Sequence, residues 1–279
     1  MPELPEIRAH AERLSGSHGG AVLAGFRPLS FTALKTAVPA PGDAVGRPLD
    51  GVGSRGKLLL LRFGDIAFVV HLMQGGRLNP DPRQSAKPRG GRARWTFDGA
   101  EALLLTEAGT EHKAGVWVVA GEPDAAPPLA ALGPEADRLE RADLDRLLDD
   151  AKGSRLHGVL RDQSRLAGLG RRLANEICWT AQLSPFAPSG RLDDEQRSRL
   201  ADAIRGCIEA SLDDERTRDH MVRSAQRLAA VHHRVGEACL RCGDTIRQVE
   251  YRAYEVDYCP TCQTGGKVLA DNTTSKFLK

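Results

Sequence analysis

The chain has 279 residues, 41% of them apolar and 27% charged, with a net charge of only +2 at pH 7 and six cysteines. That length and composition suit two globular domains, each with its own core, and exclude a disordered or fibrous chain. No apolar run is long enough to cross a bilayer, and Glu3 and Glu6 stand where an export signal would begin with basic residues, so a cytoplasmic protein with no membrane partner is expected.

In chain order, residues 5–14 predict a short helix. Pro5 suits the first helical position, Glu6 favours the positive end of the dipole, and Leu4, Ile7, Ala11 and Leu14 share a face; Gly16 is the expected stop. From about Ala21 to Trp117 short apolar runs alternate with Gly and Pro, notably 57–63 (KLLLLRF), 66–72 (IAFVVHL) and 102–105 (ALLL), the pattern of buried strands in a sandwich or barrel. Ala, Pro and acidic residues then dominate and periodicity is lost, which predicts a linker over 121–139. Helical spacing follows, with Leu144, Leu147 and Leu148 on one segment. On another, Leu200, Ile204, Ile208 and Leu212 recur in steps of four behind an N-cap at Asp193 or Asp194, so helices are expected across 140–230 in a domain reaching 235.

Cys239, Cys242, Cys259 and Cys262 form a C-x2-C-x16-C-x2-C pattern in residues 236–264. A redox pair is the alternative for one such motif. Two motifs flanking a strand-rich segment point instead to one zinc ion, and four thiolates leave it no open position, so the metal is structural. Cys178 and Cys207 remain as buried free thiols, and 265–279 is expected to be a partly mobile basic tail. Charge is uneven: residues 152–279 carry 21 Lys and Arg against 17 acids, and between Arg77 and Arg94 the one acid is Asp81. Such stretches are commonly solvated loops, and they also suit phosphate contact.

Pro2 permits removal of the initiator Met, which would expose a secondary amine. An α-amino group with pKa near 7.7–8.0 is neutral and nucleophilic in roughly a tenth of molecules at pH 7, far more than a lysine. Condensed with an aldehyde-like carbon it gives a cationic iminium, an electron sink. Glu3 beside it suits acid/base work and Glu6, one turn on, suits organising the pair. Alone, these residues are also an ordinary acidic helix start.

The segment MPELPEI resembles the start of the Fpg/Nei family of bifunctional DNA glycosylases, and the resemblance recurs in order along most of the chain. Residues 54–58 (SRGKL) resemble its hairpin with a catalytic lysine, 71–78 (HLMQGGRL) its minor-groove loop, and 167–176 (AGLGRRLANE) its helix-two-turn-helix, before the zinc hairpin. The resemblance implies an α+β fold: an N-terminal β-sandwich flanked by helices (1–120), and a C-terminal helical helix-two-turn-helix domain (140–235) with a zinc β-hairpin (236–264). It implies a monomer acting on damaged double-stranded DNA. Pro2 would attack C1′ of a flipped nucleotide, with Glu3, Glu6 and Lys57 as catalytic partners. His71, Met73, Gln74 and the Gly170 turn would contact DNA.

The chain also departs from the family pattern. Arg171 and Arg172 follow Gly170 where an Asn is usual, and Tyr254 stands where the zinc hairpin usually has an Arg, leaving Arg252 as the substitute. Met73 is one place early, with Gln74 at the wedge site, and 107–115 lacks the common Arg and Phe, so Gln74 or His112 is expected to meet the opposite base. The short 219–231 segment lacks the long Gly-rich loop that covers 8-oxoguanine in typical Fpg proteins, so the resemblance implies formamidopyrimidines or oxidised pyrimidines rather than 8-oxoguanine. The alternative function is a non-catalytic DNA lesion-binding protein on the same scaffold.

Overall fold

The computed structural model of the protein describes residues 1–251 and 254–269. The chain divides into two compact units, Met1–Leu132 with Arg218–Met221, and Gly133–Thr217 with Val222–Lys279. Among the described residues no helix is long and apolar enough to cross a membrane.

The first unit opens with helix α1 (Leu4–His18), followed by eight strands: β1 (Val22–Pro28), β2 (Gly51–Arg55), β3 (Leu58–Phe63), β4 (Ile66–His71), β5 (Gly76–Pro80), β6 (Gly91–Asp98), β7 (Leu103–Glu107) and β8 (Gly115–Ala120). They form two four-stranded antiparallel sheets, β1-β6-β7-β5 and β2-β3-β4-β8. Side chains alternate faces along a strand, yet β3 reads as unbroken leucine because both faces are covered. Leu59, Leu61 and Phe63 enter the core between the sheets; Leu58 and Leu60 face outward, where Leu129 and Leu132 pack over them.

β5 and β6 both pair antiparallel with β7, so they run parallel to each other. Residues 81–90 must therefore travel back across the outer face of β7. A buried ion pair, Arg94 Nε to Asp81 Oδ2 at 2.7 Å, fastens this crossover, and Arg94 Nη2 donates to Ser85 O. The expected basic stretch is thus a crossover whose one acid is consumed internally.

Helix α1 runs past the predicted stop at Gly16. Its last turn is held from outside: His18 is buried, its Nε2 lies 3.0 Å from Glu101 O, and its ring packs edge-on against Phe97. Val52 N–H donates to Ser15 Oγ. A Cβ on Gly19 would come within 2.6 Å of Ser15 O, so the chain turns there. His10 Nε2, eight residues earlier, lies 2.8 Å from Leu78 O. Those eight residues span about 12 Å of helix. The axis therefore passes from the Glu101 end of the sandwich toward the end marked by Gly76 and Glu107.

The second unit contains α2 (Arg141–Asp150), α3 (Leu156–Arg161), α4 (Arg171–Thr180) and α5 (Asp194–Arg216), then the hairpin β9 (Arg247–Tyr251) and β10 (Tyr254–Tyr258), and a short α6 (Pro260–Thr264). α5 starts at a true capping box: Asp193 Oδ1 accepts from Gln196 N, and Gln196 Oε1 from Asp193 N. It buries Leu200, Ile204, Ile208 and Leu212. Helix does not continue to 230. After Arg216 the apolar stripe is lost, and among the described residues the only further helical turn before the hairpin is at Ser224–Gln226, tied back by a buried Arg227–Glu215 pair at 3.1 Å.

Candidate active site and zinc centre

In the first unit three connections gather at one end of the sandwich. They are the two-residue turn Gly56–Lys57 between β2 and β3, the 72–75 loop from β4 to β5, and the 108–114 loop from β7 to β8. The register fixes this: Leu58, His71 and Gly115 are neighbours across one sheet, and Gly76 faces Glu107 in the other. Gly56 adopts φ 56°, the left-handed first position that a tight hairpin requires, and this puts Lys57 at the tip. α1 points its N-terminus toward the same end.

Pro2 is buried immediately before α1. Glu3 is the N-cap residue, and its N–H donates to Glu6 Oε2 at 2.5 Å; both carboxylates are buried. Glu6 therefore grips the backbone one residue from Pro2, which fixes where the Pro2 nitrogen sits. His71 Nδ1 accepts from Met73 N–H at 3.0 Å, so a neutral ring carries its proton on Nε2. Burial, and after it the nearby Lys57 ammonium, lower the His71 pKa from 6.5 to about 4, with Glu107 opposing. At neutral pH His71 is an uncharged Nε2–H donor.

Met73, at φ 53°, packs against the sandwich core, while Gln74 is exposed. The two glycines that follow are required: a Cβ on Gly76 would lie 2.1 Å from Leu72 O, and one on Gly75 would lie 2.4 Å from Ala108 O. Ala108 N–H donates to Gly75 O, so the two loops are joined. Two buried residues that sequence reasoning missed hold the second loop. Glu107 accepts from Lys113 N and Ala114 N, and Arg92 Nη2 donates to His112 O at 2.8 Å. This presents His112 exposed, at φ 49°.

In the second unit Gly168, at φ 103°, and Gly170 make the turn into α4. Gln163 braces it, accepting from Gly168 N and donating to Leu169 O and Arg161 O. Arg171 is half-exposed. Arg172 is instead buried and donates to Ser211 Oγ of α5, so its guanidinium is turned into the helix pair, away from the solvent-facing phosphate role. Arg252 lies outside the described residues.

Two carboxylates given no role from the sequence join α4 to the zinc segment. Glu176 accepts from the N–H groups of Ala230, Val231 and His232 at 2.6, 3.1 and 2.9 Å. Asp257 accepts from His233 N and from Asn175 Nδ2. Neither stands out in the sequence, since Glu176 shares its helix with Arg171 and Arg172, and Asp257 shares its strand with Glu255.

The sulfurs of Cys239, Cys242, Cys259 and Cys262 all lie within 4.8 Å of one another, with Cys239–Cys262 at 3.9 Å and Cys242–Cys259 at 3.4 Å. A tetrahedral zinc with bonds of about 2.3 Å requires sulfurs roughly 3.8 Å apart, so the cluster fits one ion with no open position. Trp179 Nε1–H donates to Cys239 Sγ, and Gly243, at φ 76°, forms the knuckle after the second ligand. Of the remaining thiols, Cys178 is buried as expected and Cys207 is half-exposed.

Residues 1–109 match the formamidopyrimidine-DNA glycosylase N-terminal domain, and residues 236–265 the zinc finger found in FPG and IleRS. The formamidopyrimidine-DNA glycosylase of Heliobacterium modesticaldum is 31% identical over 283 residues, covering 94% of this chain and 100% of that protein. The chain belongs to the formamidopyrimidine-DNA glycosylase family. The Chloroflexus aurantiacus member is 29% identical over 94% of this chain and 98% of its own. The MutM (Fpg) crystal structure from Thermus thermophilus superposes with a TM-score of 0.81 at 26% identity, covering 96% of this chain and all of that one. A Lactococcus lactis Fpg bound to DNA with an abasic site shares the fold, at a TM-score of 0.80 and 20% identity.

Proposed function

We propose that this family member is a DNA glycosylase for oxidised bases, formamidopyrimidines or oxidised pyrimidines, that also cleaves the strand at the resulting abasic site through Pro2. It acts as a cytoplasmic monomer on damaged duplex. The observation that carries the reading is the buried Pro2 at the head of α1, followed by a Glu3 N–H held by Glu6, on a helix aimed at the sandwich end that bears Lys57 and His71.

Once Met1 is removed, the Pro2 nitrogen bonds to C1′ of the flipped nucleotide as the C1′–base bond breaks, and the base leaves with a proton. Glu3 protonates O4′ as the C1′–O4′ bond opens, which gives the iminium. Loss of a C2′ proton expels the 3′ phosphate, loss of a C4′ proton expels the 5′ phosphate, and water releases Pro2. Lys57 balances developing phosphate charge, and the Nε2–H of His71 donates to a phosphate oxygen without adding a charge of its own. The zinc hairpin and the Gly168–Gly170 turn hold the DNA backbone; zinc braces the hairpin and takes no part in bond breaking.

A cleavage panel of formamidopyrimidine, 8-oxoguanine, 5-hydroxyuracil, thymine glycol and abasic duplexes tests this. Wild type is expected to leave phosphates at both ends of a one-nucleotide gap on abasic DNA and to prefer formamidopyrimidine or an oxidised pyrimidine. Pro2→Gly is expected to bind and not cleave. Binding without cleavage by the wild type would establish the lesion-binding alternative instead.

A further inference from the structure

Tyr254, at the start of β10, is a meeting point of three elements in the second unit. Its ring stacks on Tyr251 of β9, with centroids 4.7 Å apart and planes 16° from parallel. His157 of α3 lies nearly parallel to it at 6.2 Å, and the guanidinium carbon of Arg161, the last residue of α3, stands 4.1 Å from its centroid. Gln163 donates to Arg161 O and to Leu169 O, both at 2.8 Å, and accepts from Gly168 N. Arg161 is thereby fixed where α3, the two-glycine turn and the zinc hairpin converge.

A guanidinium over an aromatic ring is positionally fixed, weakly hydrated and able to offer its planar fork of donors to a phosphate, which a flexible ammonium does not match. His157 adds no competing charge. Burial, then the Arg161 cation, lower its pKa to about 3, so the positive charge at this junction belongs to the guanidinium.

We propose that Arg161, held on the Tyr254 ring, binds a backbone phosphate of duplex DNA at the junction of α3, the Gly168–Gly170 turn and the zinc hairpin. This rests on the DNA-binding part of the function proposed above. It assigns a phosphate contact to a helix the sequence reading left without a role, and it makes Tyr254 a positioning residue for that contact.

The test is fluorescence anisotropy of the full-length, zinc-loaded protein on a labelled duplex with a tetrahydrofuran abasic analogue, across a salt series. Losing one phosphate contact lowers the slope of log K against log salt by about one. Arg161→Leu is expected to lose that unit of slope and about tenfold in affinity. Arg161→Lys is expected to keep the slope and lose several-fold in affinity, because the charge survives and the planar stacking does not. The exchange Arg161→Leu with Tyr254→Arg returns a guanidinium to the same point and is expected to restore the slope. An unchanged slope in Arg161→Leu overturns the assignment, as does a loss seen in Arg252→Ala alone. Zinc content checks folding; if Arg161→Leu loses its metal, Arg161→Gln is read by the same two outcomes. A wild-type protein that binds no duplex refutes the DNA reading itself, a result distinct from failure at Arg161.

Discussion

Acid should loosen α1 through His10, one face of the helix that carries Pro2. His10 is buried; its Nε2–H donates to Leu78 O, and Nδ1 has no hydrogen-bond partner. Protonation would place a second N–H where no acceptor waits, and burial accordingly lowers the pKa from 6.5 to about 4. Between those values the unfolded chain binds the proton and the folded one does not, so stability falls as pH drops through this window. At pH 5 the loss from His10 alone is about 2 kcal/mol relative to pH 8, a large part of a stability of roughly 5–15 kcal/mol. His71, lowered to about 4, adds to the fall with the same sign. In urea, with a slope of about 2 kcal/mol per molar, the His10 share is about 1 M in midpoint. His10→Gln keeps a donor for Leu78 O and cannot titrate. Urea unfolding at pH 8 and pH 5, followed by the fluorescence of the buried Trp95, should show the variant losing about 1 M less than wild type. Equal losses in the two proteins would show that His10 does not carry the acid sensitivity.

Glu6→Ala removes the acceptor of the Glu3 N–H and is expected to cost about 1–2 kcal/mol of stability, yet to slow single-turnover cleavage of abasic duplex by a hundredfold or more. A rate loss no larger than the stability loss would deny Glu6 its positioning role. Cys259→Ser should abolish the one-to-one zinc content measured by atomic absorption and weaken duplex binding at least tenfold. The first unit, which contributes no ligand, should keep its near-UV signal.

Much of the fold was legible because its strands advertise themselves. The runs at 57–63, 66–72 and 102–105 became β3, β4 and β7, and the stripe Leu200, Ile204, Ile208, Leu212 became the buried face of α5. What local pattern cannot carry is an anchor supplied from far along the chain. His18 extends α1 beyond Gly16 through Glu101, eighty-three residues on. The 81–90 crossover depends on the pairing order of three strands. In the site, the N-terminal acids stood out from an ordinary helix start only through the family resemblance, whereas the zinc ligands were readable from residue type and spacing. Arg92, Glu107, Glu176 and Asp257 were not, because each acts on backbone groups that are adjacent only after folding. Arg172 is the converse case: its charge beside the Gly168–Gly170 turn suggested a DNA contact, and its place on α4 directs it at Ser211.

Everything proposed for this enzyme turns on covalent chemistry at the Pro2 nitrogen. Borohydride reduction of the enzyme on an abasic duplex, followed by nuclease and tryptic digestion and mass spectrometry, reads the attachment point directly. The deoxyribose remnant is expected on the peptide Pro2–Arg8, lacking Met1. A remnant on a peptide containing Lys57, or no adduct where a known lyase gives one, would contradict it.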